Sequence, residues 1–339
     1  MQGLTATKQE FLPDKAARRI FGSIVGEMRL VEDEFERQAD SNIQVISYLG
    51  DYLRASGGKR VRPALLVLST YASGGNGKGE SAIRLATVME MLHTATLVHD
   101  DIIDNAGLRR NRESVNARFG NQSAVLMGDW LYMSAFETAL RERSLEILDI
   151  LTRLTRKMTE GELIQLTMLG KTDITEDEYF DILKRKTAYL FSGCCEIGAI
   201  LADAGPPEQA ALRDFGLNLG IAFQLADDIL DFTADASVLG KAAGADLIEG
   251  KVTMPLILLQ KKEPQLARSL ARVMYDGSNS NGSRDAIMAA IERNDIIAVV
   301  KDLARSYAQR ARKNLELLPQ TEYSQALDAI PTYVIDRDR

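Results

Sequence analysis

Apolar residues recur along this chain at intervals of three and four, the spacing of a helix that buries one face. Ala17, Ile20, Ile24, Met28 and Val31 form such a stripe and predict a helix from about Asp14 to Gln38. A second helix runs to about Ala55 and stops at Ser56-Gly57-Gly58. A third starts at Pro63, a favourable first helical position, and ends near Gly74. After GGNGKGE comes the long apolar run IRLATVMEMLHTATLV, which leads into HDDIID. Further helices are predicted at about 121–142, 145–170, 175–204, 207–233, 284–293, 296–316 and 322–333. Breaks fall at Gly120-Asn121, Gly170 to Asp173, and Gly205-Pro206-Pro207. The Gly- and Ala-rich, charged segment 233–253 reads as a loop or lid, and DGSNSNGS (276–283) as a flexible surface loop. No stretch reads as a strand. The pattern therefore gives an all-α fold, a bundle of ten or more helices. Eight prolines in 339 residues suit long uninterrupted helices. No linker-like composition divides the chain, so residues 1–339 read as one domain around a deep apolar cavity.

Two of the apolar helical runs end in the same pattern, Asp-Asp-x-x-Asp: Asp100, Asp101 and Asp104, then Asp227, Asp228 and Asp231. Positions i and i+4 lie roughly 40° apart around a helix, so the first and last aspartate of each copy share a face. Two unit charges about 4 Å apart repel by roughly 4 kcal/mol at an effective dielectric near 20. One such copy is often only a solvated helix face. Two copies, each following a long apolar stretch, point instead to sites for hard divalent cations. Magnesium fits best, because it takes oxygen ligands and completes its shell with substrate phosphates.

Three basic groupings could serve as anion-binding counterparts. Gly57-Gly58-Lys59-Arg60-Val61-Arg62-Pro63 puts cations before a helix N-terminus, which suits an anion and equally an ordinary surface turn. Arg109 and Arg110 follow the first acidic motif, where they either pair with carboxylates or grip phosphate. Lys186, Lys241 and Lys251 each read alone as solvated surface. Both histidines, His93 and His99, precede the first acidic motif, with His93 two turns before Asp100 on nearly the same face.

Composition narrows the class. A net charge of −7 gives no reason to expect nucleic-acid binding. Adjacent Cys194 and Cys195 in an apolar helical run read as buried reduced thiols. The first residues lack the apolar core of a signal peptide, and no run of 18 apolar residues occurs. A cytoplasmic protein without a transmembrane segment is expected.

GGKRVRP, HTATLVHDDIIDNAGLRR, KTAYLF, FQLADDILDF and GKVTMPLI together resemble the trans-polyprenyl diphosphate synthases, and most of all the long-chain octaprenyl/solanesyl type that makes quinone side chains. FGNQSAVLMGDWLY, GELIQL and the terminal RDR extend the similarity over essentially the whole chain. The resemblance implies a homodimer that condenses an allylic prenyl diphosphate with successive isopentenyl diphosphate units. It implies three Mg²⁺ ions, with Asp100 and Asp104 ligating two and Asp227 the third. Asp101, Asp228, Asp231 and Asp246 would support these ligands from behind. Arg109, Lys186 and Lys241 would contact the allylic diphosphate, and Lys59, Arg62, His93 and Arg110 the isopentenyl diphosphate. Thr187 and Gln224 would line the reacting centre, with Lys251, Glu162 and Gln165 carried over through weaker local matches. Peripheral membrane contact at product release fits so apolar a product.

The resemblance also places product length on the helix before Asp100. Ala95 and Thr96 are small where short-chain members carry bulky aromatics, which implies a deep cavity. Leu92, Met89 and Val88 lie deeper, with Phe136 near the floor. Ala95 and Thr96 equally suit close helix packing. Three other readings remain: a geranylgeranyl-length product, a class I terpene cyclase, and a prenyl-diphosphate-binding subunit that needs a partner. The intact second motif and GGKRVRP argue against the cyclase, and the six aspartates argue against the subunit.

Overall fold

Ala17, Ile20, Ile24, Met28 and Val31 are all buried, but they lie on two helices and the turn between them, not on one helix. The computed structural model describes residues 15–55, 58–109, 112–233, 244–276 and 281–336. In it α1 (Lys15–Phe21) passes through a 3₁₀ turn at Gly22–Ile24 into α2 (Val25–Ala39). Gly22 lowers helix propensity at that point, and the tighter turn keeps the apolar stripe on the inner side. Next come α3 (Gln44–Ala55), α4 (Val61–Ala72), α5 (Glu80–Ile103), α6 (Val115–Phe119) and α7 (Asn121–Leu140).

The described chain continues with α8 (Leu145–Met168), α9 (Glu176–Leu183), α10 (Tyr189–Leu201), α11 (Pro206–Thr233) and α12 (Ala245–Ile248). It ends with α13 (Met254–Lys262), α14 (Ala267–Asp276), α15 (Asn281–Arg293), α16 (Ile296–Asn314) and α17 (Glu322–Ile335).

Several boundaries depart from the periodicity. α4 begins at Val61, two residues before Pro63. A proline is tolerated there because first-turn N–H groups have no helical partner. Two-residue strands, Leu108–Arg109 (β1) and Arg112–Glu113 (β2), pair antiparallel just past the first acidic motif. They are too short to leave an alternating signal. The expected helix over 175–204 is broken by a π turn at Lys184–Ala188. α12 occupies part of the expected 233–253 loop, and α15 begins inside the expected 276–283 loop.

The chain packs as two compact units interleaved in sequence. The first comprises Met1–Thr152, Gly193–Leu212 and Leu317–Ala329. Its core centres on α5, which packs against α2, α4 and α7. Leu65, Leu66 and Leu68 of α4 and Leu85, Met89, Met91 and Leu92 of α5 are fully buried. Each such side chain contributes roughly 1.5–3 kcal/mol. α4 is enclosed on most sides, with only Arg62 and Tyr71 half-buried. A Cβ at Gly198 would lie 2.6 Å from the Leu66 carbonyl oxygen, so glycine lets α10 approach that closely. Cys194 and Cys195 are buried and unbridged beside it, and burial pushes the Cys195 thiol up to about 12.

The second unit comprises Arg153–Ser192, Arg213–Glu316 and Ile330–Arg339. Leu183, Ile221, Leu225, Met254, Leu256, Ile287 and Val300 belong to its core. α9 opens with a capping box in which Thr175 and Glu178 satisfy each other's backbone N–H groups. α11 lies against the π turn and the start of α10 through two glycines. A Cβ at Gly216 would come within 2.5 Å of the Phe191 carbonyl oxygen, and one at Gly220 within 2.6 Å of Ala188 Cα.

Candidate functional site

In both acidic motifs the middle aspartate turns inward and is held by protein. On α5, Asp101 is 3% exposed. Arg109 Nε donates to its two carboxylate oxygens at 2.7 and 2.9 Å, and Arg109 Nη2 lies 2.6 Å from Oδ1. Asp100 is half-buried, and Asp104, which caps the C-terminus of α5, is exposed. The Asp101 carbonyl accepts from Asn116 Nδ2 at 3.1 Å and from the Ala106 N–H at 2.8 Å, which folds the following loop back onto the helix end.

On α11, Asp228 is 1% exposed. Tyr179 Oη donates to its Oδ2 at 2.6 Å, the Met254 N–H donates to the same oxygen at 3.3 Å, and Gln224 Nε2 donates to Oδ1 at 3.2 Å. Thr187 Oγ1 in turn donates to Gln224 Oε1 at 3.1 Å. Asp227 and Asp231, one helical turn apart, are half-buried beside it. Burial, and after it the charge of Asp246, pushes the Asp231 carboxyl up to about 7. Burial likewise raises Asp228 to about 7, with Asp246 adding to it. Oδ2 of Asp231 is buried with no hydrogen-bond partner. A cation would favour the charged form of carboxyls raised in this way.

The basic candidates divide by direction. Arg60, at the N-terminal end of α4, takes a left-handed backbone with φ of 49°. Its guanidinium, 8% exposed, reaches Glu90 Oε1 at 2.6 Å and Glu32 Oε1 at 2.5 Å. With Arg60 turned in, Lys59 is exposed and Arg62 half-buried. His93 is half-buried on α5. Lys186 lies within the π turn, its Nζ 2.5 Å from Glu162 Oε1 and 3.0 Å from Gln165 Oε1. Both carry-overs thus touch Lys186. π turns insert one extra residue, and this one re-aims Lys186 and Thr187 relative to a continuous helix. Lys251 Nζ is 2.9 Å from Glu249 Oε2. Arg110 and Lys241 lie outside the described residues.

Of the chain-length candidates, Met89, Leu92 and Ala95 are fully buried, while Thr96 and Phe136 are half-buried. Thr96 lies one turn before Asp100 on the same face and donates to the His93 carbonyl at 2.7 Å. Among the described residues, no three His, Cys, Asp or Glu side chains form a group able to hold a metal ion by themselves. A magnesium ion bound through one or two carboxylates and substrate phosphates needs no such group.

Three participants escaped the sequence reading: Glu32, Glu90 and Tyr179. Glu90 had a signal, as the lone charge in VMEMLH, because a buried carboxylate requires a partner. Tyr179 had none, since TEDEYF reads as an ordinary helix start.

Residues 43–292 match the polyprenyl synthetase family. The chain is 36% identical over 303 residues to the octaprenyl diphosphate synthase of Escherichia coli K12, covering 89% of this chain and 93% of that one. It is 34% identical over 292 residues to a geranylgeranyl diphosphate synthase of Methanosarcina mazei, covering 85% and 88%. Its structure matches that of a polyprenyl synthase from Caulobacter crescentus complexed with calcium and isoprenyl diphosphate. The TM-score is 0.89 at 34% identity, covering 95% of this chain and 98% of that one. The all-α architecture is therefore the isoprenoid synthase fold. Family match, extensive relatives at this identity and shared fold agree: the chain belongs to the polyprenyl synthetase family and is a prenyltransferase, a trans-polyprenyl diphosphate synthase.

Proposed function

We propose that this enzyme uses Mg²⁺ to condense an allylic prenyl diphosphate with successive isopentenyl diphosphate units, giving a long-chain product of the octaprenyl-to-decaprenyl class for quinone side chains. The observation that carries the long-chain reading is the small side chain of Thr96 on the Asp100 face of α5, with fully buried Ala95 beside it. No bulky ring at either position stops a chain that grows along this helix.

Asp100, Asp104 and Asp227 are the groups that would hold the metal. The accessibility of the outer aspartates and the unpartnered oxygen of Asp231 support the fit. Bound Mg²⁺ supplies charge neutralisation to the departing pyrophosphate. Arg109 and Lys186 add positive charge to that leaving group, and each is held ready by a carboxylate, Asp101 and Glu162 respectively. Lys59, Arg62 and His93 hold the isopentenyl diphosphate, whose double bond attacks the allylic cation. Thr187 and Gln224, locked to one another, present polar groups at the reacting centre without a strong nucleophile. The released pyrophosphate takes the proton that completes each cycle. The active species is a homodimer, a reading supported by α7, which leaves Leu126, Met133 and Leu140 exposed at seven-residue spacing along one line.

The test is purified protein with Mg²⁺, farnesyl diphosphate and labelled isopentenyl diphosphate, followed by sizing of the dephosphorylated product. A ladder ending between octaprenyl and decaprenyl is expected. A product stopping at geranylgeranyl refutes the chain-length reading, and no condensation at all refutes the activity of the chain by itself.

A further inference from the structure

We propose that Tyr179 is a positioning residue for the second acidic motif: by anchoring Asp228 inward it fixes the direction of the neighbouring, half-buried Asp227 for the cation. This rests on the reading that Asp227 holds Mg²⁺. Asp228 accepts from Tyr179 Oη, Gln224 Nε2 and the Met254 N–H, so both of its oxygens are occupied and it is almost wholly enclosed. The Tyr179 bond, at 2.6 Å, is the shortest of the three, and Tyr179 itself is 7% exposed. Through Asp228 this hydroxyl ties together α9, α11 and the N-terminus of α13. Through Gln224 and Thr187 the same chain of bonds reaches the π turn that carries Lys186. One aspartate thus orients the metal-binding motif and the residues around the reacting centre together.

The first motif is anchored differently. There the inward aspartate is held by Arg109, a cation with its own use in the reaction. At the second motif the anchor is a neutral hydroxyl. It adds no positive charge beside Asp227, and a diphosphate does not draw it away as it would a cation. Outer residues that orient metal ligands typically change metal affinity or activity 10–100-fold when removed.

The experiment titrates Mg²⁺ into full-length protein in the presence of inorganic pyrophosphate and follows the thermal midpoint and the calorimetric binding isotherm. Tyr179→Phe keeps the ring and removes only the hydroxyl. The Mg²⁺ concentration at half-effect should rise about 10–100-fold. Phe180→Leu, a neighbouring change in the same core, should lower the metal-free midpoint without moving the Mg²⁺ requirement. Asp228→Asn, which keeps an acceptor for Tyr179, should weaken Mg²⁺ less than Asp227→Asn. A Tyr179→Phe requirement within twofold of wild type overturns the proposal alone, as does the reverse order for the two aspartates. Wild-type protein that shows no response to Mg²⁺ with pyrophosphate overturns the metal reading and the proposal with it.

Discussion

Replacing Arg60 with methionine isolates the contribution of the inward cation in GGKRVRP. Arg60 bridges Glu90, which is 5% exposed, and Glu32 across two helices, with its guanidinium 5.7 Å from the Phe35 ring centroid. Methionine fills similar volume and leaves Glu90 buried without its partner. Breaking a buried pair in this way costs about 3–5 kcal/mol. The unfolding entropy of about 2.1 cal/mol/K per residue gives about 0.7 kcal/mol/K over 339 residues. The thermal midpoint should therefore fall by about 4–7 °C. Arg60→Met combined with Glu90→Gln removes the stranded charge and should recover part of that loss. Arg60→Gly relieves the left-handed backbone, about 1–2 kcal/mol, and should fall less than Arg60→Met if the lost packing is minor. The functional consequence lies in the flanking cations: with Arg60 gone, Lys59 and Arg62 lose their fixed directions. The KM for isopentenyl diphosphate should rise while that for the allylic primer holds. Calorimetry or chemical denaturation reads the first effect and steady-state kinetics the second. A midpoint within about 1 °C of wild type, or a double variant no better than the single, would refute the assignment of Arg60 as a buried clamp.

Three further outcomes are expected. Asp228 and Asp231 have carboxyls raised from the ordinary range to about 7 by burial, with Asp246 adding to each. Their stabilising contribution is therefore full below about pH 4 and is lost as pH rises through about 7. Metal-free protein should accordingly lose stability across that window, and Mg²⁺ should flatten the loss. A metal-free stability that rises over pH 5–8 would contradict the crowding at this motif. Thr96→Phe, one turn before Asp100, should shorten the product ladder, with Ala95→Phe doing the same at greater cost to stability. Unchanged product length in both would remove these positions from length control. Gly216→Ala places a methyl 2.5 Å from the Phe191 carbonyl oxygen. α11 must shift for it, so thermal stability and kcat should fall together, and an unperturbed midpoint would show that the contact is looser than described.

Helical content and the two acidic motifs could be read directly from the chain, because both depend on residues three and four apart. The 3.6-residue period placed Met28 and Val31 inside, and the i, i+4 spacing put Asp100 with Asp104 and Asp227 with Asp231. Local competition was harder to read. The 3₁₀ turn at Gly22 and the π turn at Lys184–Ala188 lie within unbroken apolar patterns, so only backbone packing reveals them. Roles that depend on distant partners were the least legible. Which aspartate turns inward is decided by Tyr179, 49 residues from Asp228, and by Arg109 in the two-residue strand β1 past the end of α5. That Arg60 points in while Lys59 points out is decided by Glu90, 30 residues away. Periodicity specifies the face a residue occupies. The partner that satisfies a buried charge comes from elsewhere in the chain, so only the tertiary structure could assign these charges.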